Sequence, residues 1–295
     1  MKMLFIGCVQ SSERFLKAII NNTSAEVVGI VTKIDSCFNA DHVSLTTIAE
    51  QRNIDWLDYK DNDNLLNWIS GKSPDIIYCF GWSHLLPEEI FSAAKLGAVG
   101  YHPALLPQNR GRHPIIWALA LGLKETGSTF FYLTKEADAG DILSQEVVEI
   151  NESDDANTLY NKLLQVGEEQ VVKMTEDIIN KRVKPNRQDV HKVNYWRKRT
   201  KKDGEIDWRM GSKAILQLIK ALTKPYVGAH FTYENQEYKV WSAKQIQYGD
   251  TLYANIEPGK IVTTTPNSFI VKTADGLIEI TDCELETIPK VGEYL

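Results

Sequence analysis

Of the chain's six histidines, one stands where a histidine can move protons. A short apolar stretch over residues 98–101 delivers His102 into the turn H-P-A-L-L-P. Imidazole titrates near physiological pH, so a histidine held at the end of a strand suits a proton acceptor for an attacking nucleophile. A carboxylate follows about one strand later, in the run E-A-D-A-G-D-I-L from residue 136 to 143. Asp138 and Asp141 can both cap that turn, and a carboxylate in its D-x-G step can orient an imidazole and favour the protonated form. Arg110 and Arg112 precede a helix N-terminus, a place that attracts anions. They read equally as ligands of a phosphate and as partners of the aspartate turn. Tyr101, Trp82 and Trp117 can each stack a planar ring or, as aromatic residues more often do, fill core.

The elements that must position these groups are legible around them. Pro114 opens a helix, Ile115, Ile116, Leu119 and Leu121 give it an apolar face, and Gly122 stops it. Strand, loop and helix in that order put the His102 loop at the sheet edge where ligands of open α/β proteins collect. Residues 2–9 read as a buried strand, 12–21 as a helix with Phe15, Leu16, Ile19 and Ile20 inward, and 25–31 as a second strand, a spacing that requires a parallel sheet. The G-C-V-Q-S-S that follows the first strand is not the G-x-G-x-x-G phosphate cradle. Further strands are expected at 74–82, ending in Gly81, and at 128–133 and 142–148 on either side of Asp138. A long helix over 154–182 follows. Beyond Gly228, short alternating runs separated by Gly, Pro and Asn turns suggest a small barrel. The expected fold is α/β: a Rossmann-like, mostly parallel sheet domain over 1–188, a linker over 189–208, and a helix with a small OB-like β-barrel over 209–295.

Composition excludes several classes. The 295 residues are 43% hydrophobic and 24% charged, ordinary for a soluble globular protein of two domains. No apolar run reaches the length of a membrane span, and the start lacks the core of a signal peptide. Four cysteines, Cys8, Cys37, Cys79 and Cys283, lie far apart without a CxxC pair, which argues against a zinc site or a disulfide framework and for a reduced cytoplasm. The histidines lack metal-ligand spacing. A net charge of −6 without a basic tail argues against a nucleic-acid partner.

Gly100-Tyr101-His102-Pro103-Ala104-Leu105-Leu106-Pro107, then Arg110-Gly111, then Asp138-Ala139-Gly140 resembles the signature of the folate-dependent formyltransferases, N-x-H-x-S-L-L-P, R-G and D-x-G. The resemblance covers nearly the whole chain and is tightest over residues 74–150. It implies an enzyme that takes a formyl group from 10-formyltetrahydrofolate, with His102 and Asp138 as the catalytic pair. It also implies a cofactor site at Gly81, Trp82, Leu105, Asp138 and Asp141, and an acceptor site at Tyr101, Arg110, Gly111 and Arg112. One position departs: Gly100 stands where the family carries an Asn whose carboxamide donates to the oxyanion. Loss of such a donor costs about a hundred- to a thousand-fold in rate. Asn109, a backbone amide or water is expected to replace it, with activity retained. The acceptor expected is a nucleotide-linked amino sugar. Methionyl-tRNA is the alternative, because those relatives share the domain order, although their loop matching residues 33–42 is longer and more basic. A folate or nucleotide-sugar binding protein without turnover is the alternative of another class, and the C-terminal barrel offers a surface for a homodimer.

Overall fold

The computed structural model describes residues 1–36, 40–247 and 253–295, so Cys37 and the middle of the 33–42 loop lie outside the described residues. Two compact units form. The first comprises Met1–Pro114, Glu125–Glu149 and Tyr160–Arg197, and the second Ile115–Lys124, Ile150–Leu159 and Lys198–Leu295.

The apolar runs become strands because only a sheet covered on both faces can bury them. In chain order come β1 (Lys2–Ile6), α1 (Gln10–Asn22), β2 (Glu26–Thr32), α2 (Thr46–Gln51), β3 (Trp56–Asp58), α3 (Asn62–Lys72), β4 (Ile76–Cys79), α4 (Glu88–Phe91) and β5 (Ala98–His102). They are followed by β6 (Arg110–Gly111), α5 (Pro114–Ala120), β7 (Glu125–Tyr132), β8 (Ile142–Glu149), α6 (Ala156–Ile179) and β9 (Tyr195–Trp196). Seven strands make one sheet in the order β3-β2-β1-β4-β5-β7-β8. The first five run parallel, and β7 and β8 add antiparallel. The winding direction reverses between β1 and β4, the switch point beside which open α/β sheets bind ligands.

Met3, Leu4, Phe5 and Ile6 of β1 are fully buried. Phe15 of α1 meets Phe80 at 5.9 Å and Tyr101 at 4.9 Å between ring centroids, and Tyr101 meets Phe130 at 4.8 Å. Antiparallel register explains why Tyr101 is there. Gly100 pairs with Phe131 and His102 with Thr129, whereas Tyr101 pairs with Phe130. Side chains alternate across a strand, so Tyr101 points to the opposite face from His102 and belongs to the core rather than to an acceptor site. Its hydroxyl accepts a hydrogen bond from Ser128 at 3.3 Å. The helix opened by Pro114 ends at Ala120, which leaves Leu121 54% exposed instead of on the apolar face.

The stretch that composition reads as a linker is structured. β9 pairs in parallel with β6, Arg110 opposite Tyr195 and Gly111 opposite Trp196, and in the second unit Ile206 and Trp208 are buried. That unit continues with α7 (Ser212–Leu222), β10 (Ala229–Tyr233), β11 (Gln236–Ile246), β12 (Ile261–Thr264), β13 (Phe269–Lys272) and β14 (Leu277–Cys283). Its strands form a five-stranded antiparallel sheet, ordered β10-β11-β14-β13-β12. Ile215, Leu218, Ile219 and Leu222 of α7 are buried, as are Phe231, Val240, Phe269 and Ile278 of the sheet.

Candidate active site

His102 ends β5 with 5% of its surface exposed. Its Nε2 lies 2.7 Å from the carbonyl oxygen of Asn109. A carbonyl can only accept, so Nε2 carries the proton and Nδ1 of the neutral ring keeps the free lone pair. Nδ1 faces Asp138 Oδ2 at 3.9 Å. That is too long for a hydrogen bond. Nδ1 is therefore the ring nitrogen left to accept a proton, with a carboxylate oxygen beside it.

Asp138 holds this place in a left-handed backbone conformation, φ 57°. Its Oδ2 accepts the backbone N–H of Gly111 at 2.9 Å. Gly111 has φ 108°, and a side chain there would run into the carbonyl of Trp196. Gly111 thus spends its amide on the aspartate. Asp141 is exposed, and its carbonyl accepts from the backbone of Tyr132 at 3.0 Å, which anchors the end of the turn.

Arg110 is 3% exposed. Its Nε and Nη2 donate to Gln188 Oε1 at 3.2 and 2.7 Å, and its Nη1 donates to Glu136 and to the Tyr195 hydroxyl at 2.9 and 3.0 Å. A guanidinium spent in this way on the protein's own groups is not a phosphate ligand. Of the two readings open for Arg110, partnership with the aspartate turn is the one observed. Asn109 contributes its carbonyl to His102. Its own backbone N–H donates to Asn194 Oδ1 at 2.8 Å, and its Oδ1 accepts from Asn194 Nδ2 at 3.2 Å. The space where the resemblance expects a carboxamide is apolar: a Cβ on Gly100 would lie 2.6 Å from Leu133 Cδ2 and 3.0 Å from Phe131 Cζ.

Two of the expected cofactor positions pack against the protein's own side chains. A side chain at Gly81 would overlap Val9 and Ser12, so this glycine lets the end of β4 pack against the start of α1. Leu105 lies over Gly127 of β7, whose missing side chain makes room for it.

A second group of residues gathers after β2, β3 and β4. Lys33 Nζ donates to His84 Nε2 at 2.6 Å and sits 5.4 Å from the centroid of the Tyr59 ring and 5.8 Å from that of Trp82. Tyr59 and Trp82 pack edge to face at 5.0 Å. Arg112 Nη1 donates to the carbonyl of Ser83 at 3.3 Å. Desolvation, then the charges of Lys33 and Arg112, hold His84 below the ordinary histidine pKa, which fits its role as acceptor from Lys33. The indole N–H of Trp82 is buried and has no partner among the described residues, and the neighbouring Leu85 is 84% exposed. Tyr59, His84, Gln188 and Asn194 carry no local motif. Only the fold brings them to these positions, although Lys33 stands out in sequence as a lone cation in its loop.

Burial pushes the Cys8 thiol up to about 11 and the Cys79 thiol up as well, so neither supplies a thiolate at neutral pH. Among the described residues no three His, Cys, Asp or Glu side chains cluster as metal ligands, and no helix is long and apolar enough to cross a membrane.

Residues 1–175 match the model of the family Formyl transferase, and residues 198–291 that of Formyl transferase, C-terminal domain. The chain belongs to the formyl transferase family and is an enzyme of that class. Methionyl-tRNA formyltransferase of Caldanaerobacter subterraneus subsp. tengcongensis is 30% identical over 304 aligned positions, covering 100% of this chain and 96% of its own. Among solved structures, the sugar 3N-formyl transferase WlaRD, determined with dTDP and 5-N-formyl-THF, has a TM-score of 0.71 at 18% identity over 98% of this chain and 99% of that one. HypX from Aquifex aeolicus superposes with a TM-score of 0.68 at 19% identity over 97% of this chain, which spans about half, 46%, of the HypX chain.

Proposed function

We propose that this protein transfers the formyl group of 10-formyltetrahydrofolate to the amino group of a nucleotide-linked amino sugar. The observation that carries the transfer is the His102 ring, with its Nε2 proton committed to the Asn109 carbonyl and its Nδ1 lone pair beside Asp138. Nδ1 takes the proton of the amine as the amine nitrogen bonds the formyl carbon. The same proton then goes to the folate nitrogen as its bond to that carbon breaks. Asp138 stabilises the imidazolium between the two events. The bound folate supplies an activated formyl group on nitrogen. The residues after β4 suit it, because Trp82 keeps an unspent buried N–H and Leu85 an uncovered apolar surface, as a heteroaromatic ring needs.

For the acceptor, Lys33 at the Tyr59 ring and Arg112 at the Ser83 carbonyl offer two cations, a chemistry suited to a phosphate. The likeness to WlaRD over the full length of both chains is in keeping with that reading. The relative acting, by its name, on methionyl-tRNA favours a second reading, in which the same amine chemistry serves a charged tRNA.

The deciding experiment follows folate release from 10-formyltetrahydrofolate in the presence of amino-sugar nucleotides and, separately, methionyl-tRNA, with His102→Ala as control. Turnover of a sugar nucleotide that is lost in His102→Ala is the expected result. Turnover of methionyl-tRNA alone would transfer the proposal to the second acceptor, and folate binding without turnover of any amine would defeat both.

A further inference from the structure

Gln188 lies just before the stretch read as a linker, is 6% exposed, and uses all four of its strongest hydrogen-bonding positions inside the protein. Its Nε2 donates to the backbone carbonyls of Asp138 and Gly140 at 2.8 and 2.7 Å. Its Oε1 accepts twice from Arg110, at 3.2 and 2.7 Å. A guanidinium only donates and a carbonyl only accepts, so the carboxamide can stand only one way round. Glutamate in its place would keep the Arg110 partner and lose both donors.

The turn that these donors hold is one that needs holding. Asp138 is left-handed at φ 57°, a conformation that a residue with a side chain keeps when its surroundings over-determine it. Gly140 lies so close to the carbonyl of Tyr132 that no side chain fits. The bonds close a ring: Arg110 to Gln188, Gln188 to the Asp138 backbone, and the Asp138 carboxylate to the amide of Gly111, the residue next to Arg110. We infer that Gln188 is a positioning residue that sets the Asp138 carboxylate against His102. The inference rests on the reading of Asp138 as the partner of the His102 base.

The test is Gln188→Glu in the full-length protein, read in two ways. In its crystal structure the 138–140 turn is expected to relax, with Asp138 Oδ2 leaving the Gly111 amide and moving away from His102. This readout needs no acceptor, so a failure to find turnover leaves it standing. In the formyl-transfer assay kcat is expected to fall at least tenfold, with KM for donor and acceptor changed less than threefold, as misplacement of a catalytic group requires. Combined with Asp138→Asn, the same substitution is expected to cost less than twofold, because residues that act as one unit are not additive. An Asp138 carboxylate that stays in place, or a loss of the same size in the Asp138→Asn background, would overturn the inference. Gln188→Met, which has similar length and cannot repel the two carbonyls, takes the same measurements if the Glu variant does not fold.

Discussion

The two flanks of His102 are built on opposite terms. On one, Asn109, Arg110, Gly111, Asp138, Gln188 and Asn194 bond to one another, and Arg110 and Gln188 are almost wholly buried. On the other, Trp82 keeps a buried donor without a partner, Leu85 is exposed, and Lys33 leans on a neutral imidazole and two rings instead of a carboxylate. The difference separates two tasks. In the proposed mechanism the catalytic geometry is held ahead of time by bonds within the protein, so little reorganisation remains for the moment of reaction. In the same proposal recognition falls to the other flank, where the buried Trp82 N–H is left for a ligand to satisfy. Arginine shows the contrast within three residues, since Arg110 is locked inside the first flank and Arg112 reaches the second.

The largest expected effect comes from breaking the held flank. His102→Ala should lower the rate of folate release about a hundred- to ten-thousand-fold, the range of a lost general base, with folate affinity by equilibrium titration little changed. Next comes the apolar filling beside the base. Gly100→Ala should destabilise the protein by about 1–3 kcal/mol in urea unfolding, the usual cost of overpacking, and Leu133→Ala should relieve most of that loss. Additivity of the two substitutions would show that Leu133 does not occupy the place of the missing side chain.

On the open flank, Lys33→Ala and Arg112→Ala should each raise KM for an anionic acceptor about tenfold while kcat stays within threefold, with the wild-type KM rising with salt. Equal losses in kcat would move these residues into the chemistry. The smallest effect concerns His84, whose NMR titration should fall below the ordinary histidine value of about 6.5 and move up in Lys33→Met. Because the folded value lies below the unfolded one, the contribution of neutral His84 to its contact with Lys33 is complete above the unfolded value and is lost as pH falls through the folded value. A titration above the ordinary value would mean that Lys33 does not face the ring.

Much of this protein was legible along the chain. The apolar runs of β1, β2, β4 and β5, the helix starting at Pro114 and the turn around Asp138 are local patterns, set by side-chain periodicity and by the limits that Pro and Gly place on φ. So were His102 and Asp138, because the loop motifs that hold them are short. The sequence therefore determined the class of fold and the family, and it singled out two residues, His102 and Asp138, that the fold brings to 3.9 Å.

Partners distant in sequence were another matter. That Tyr101 belongs to core depended on which face of β5 meets Phe15 and Phe130, and a strand buried on both faces does not advertise that choice. That Arg110 is spent internally depended on Gln188 and Tyr195, 78 and 85 residues away. The space at Gly100 was closed by Leu133 across a strand pair. Hydrogen bonds and packing are satisfied by whatever the fold brings within a few ångströms, so which polar groups are already spent, and which remain for a ligand, only the tertiary structure could decide.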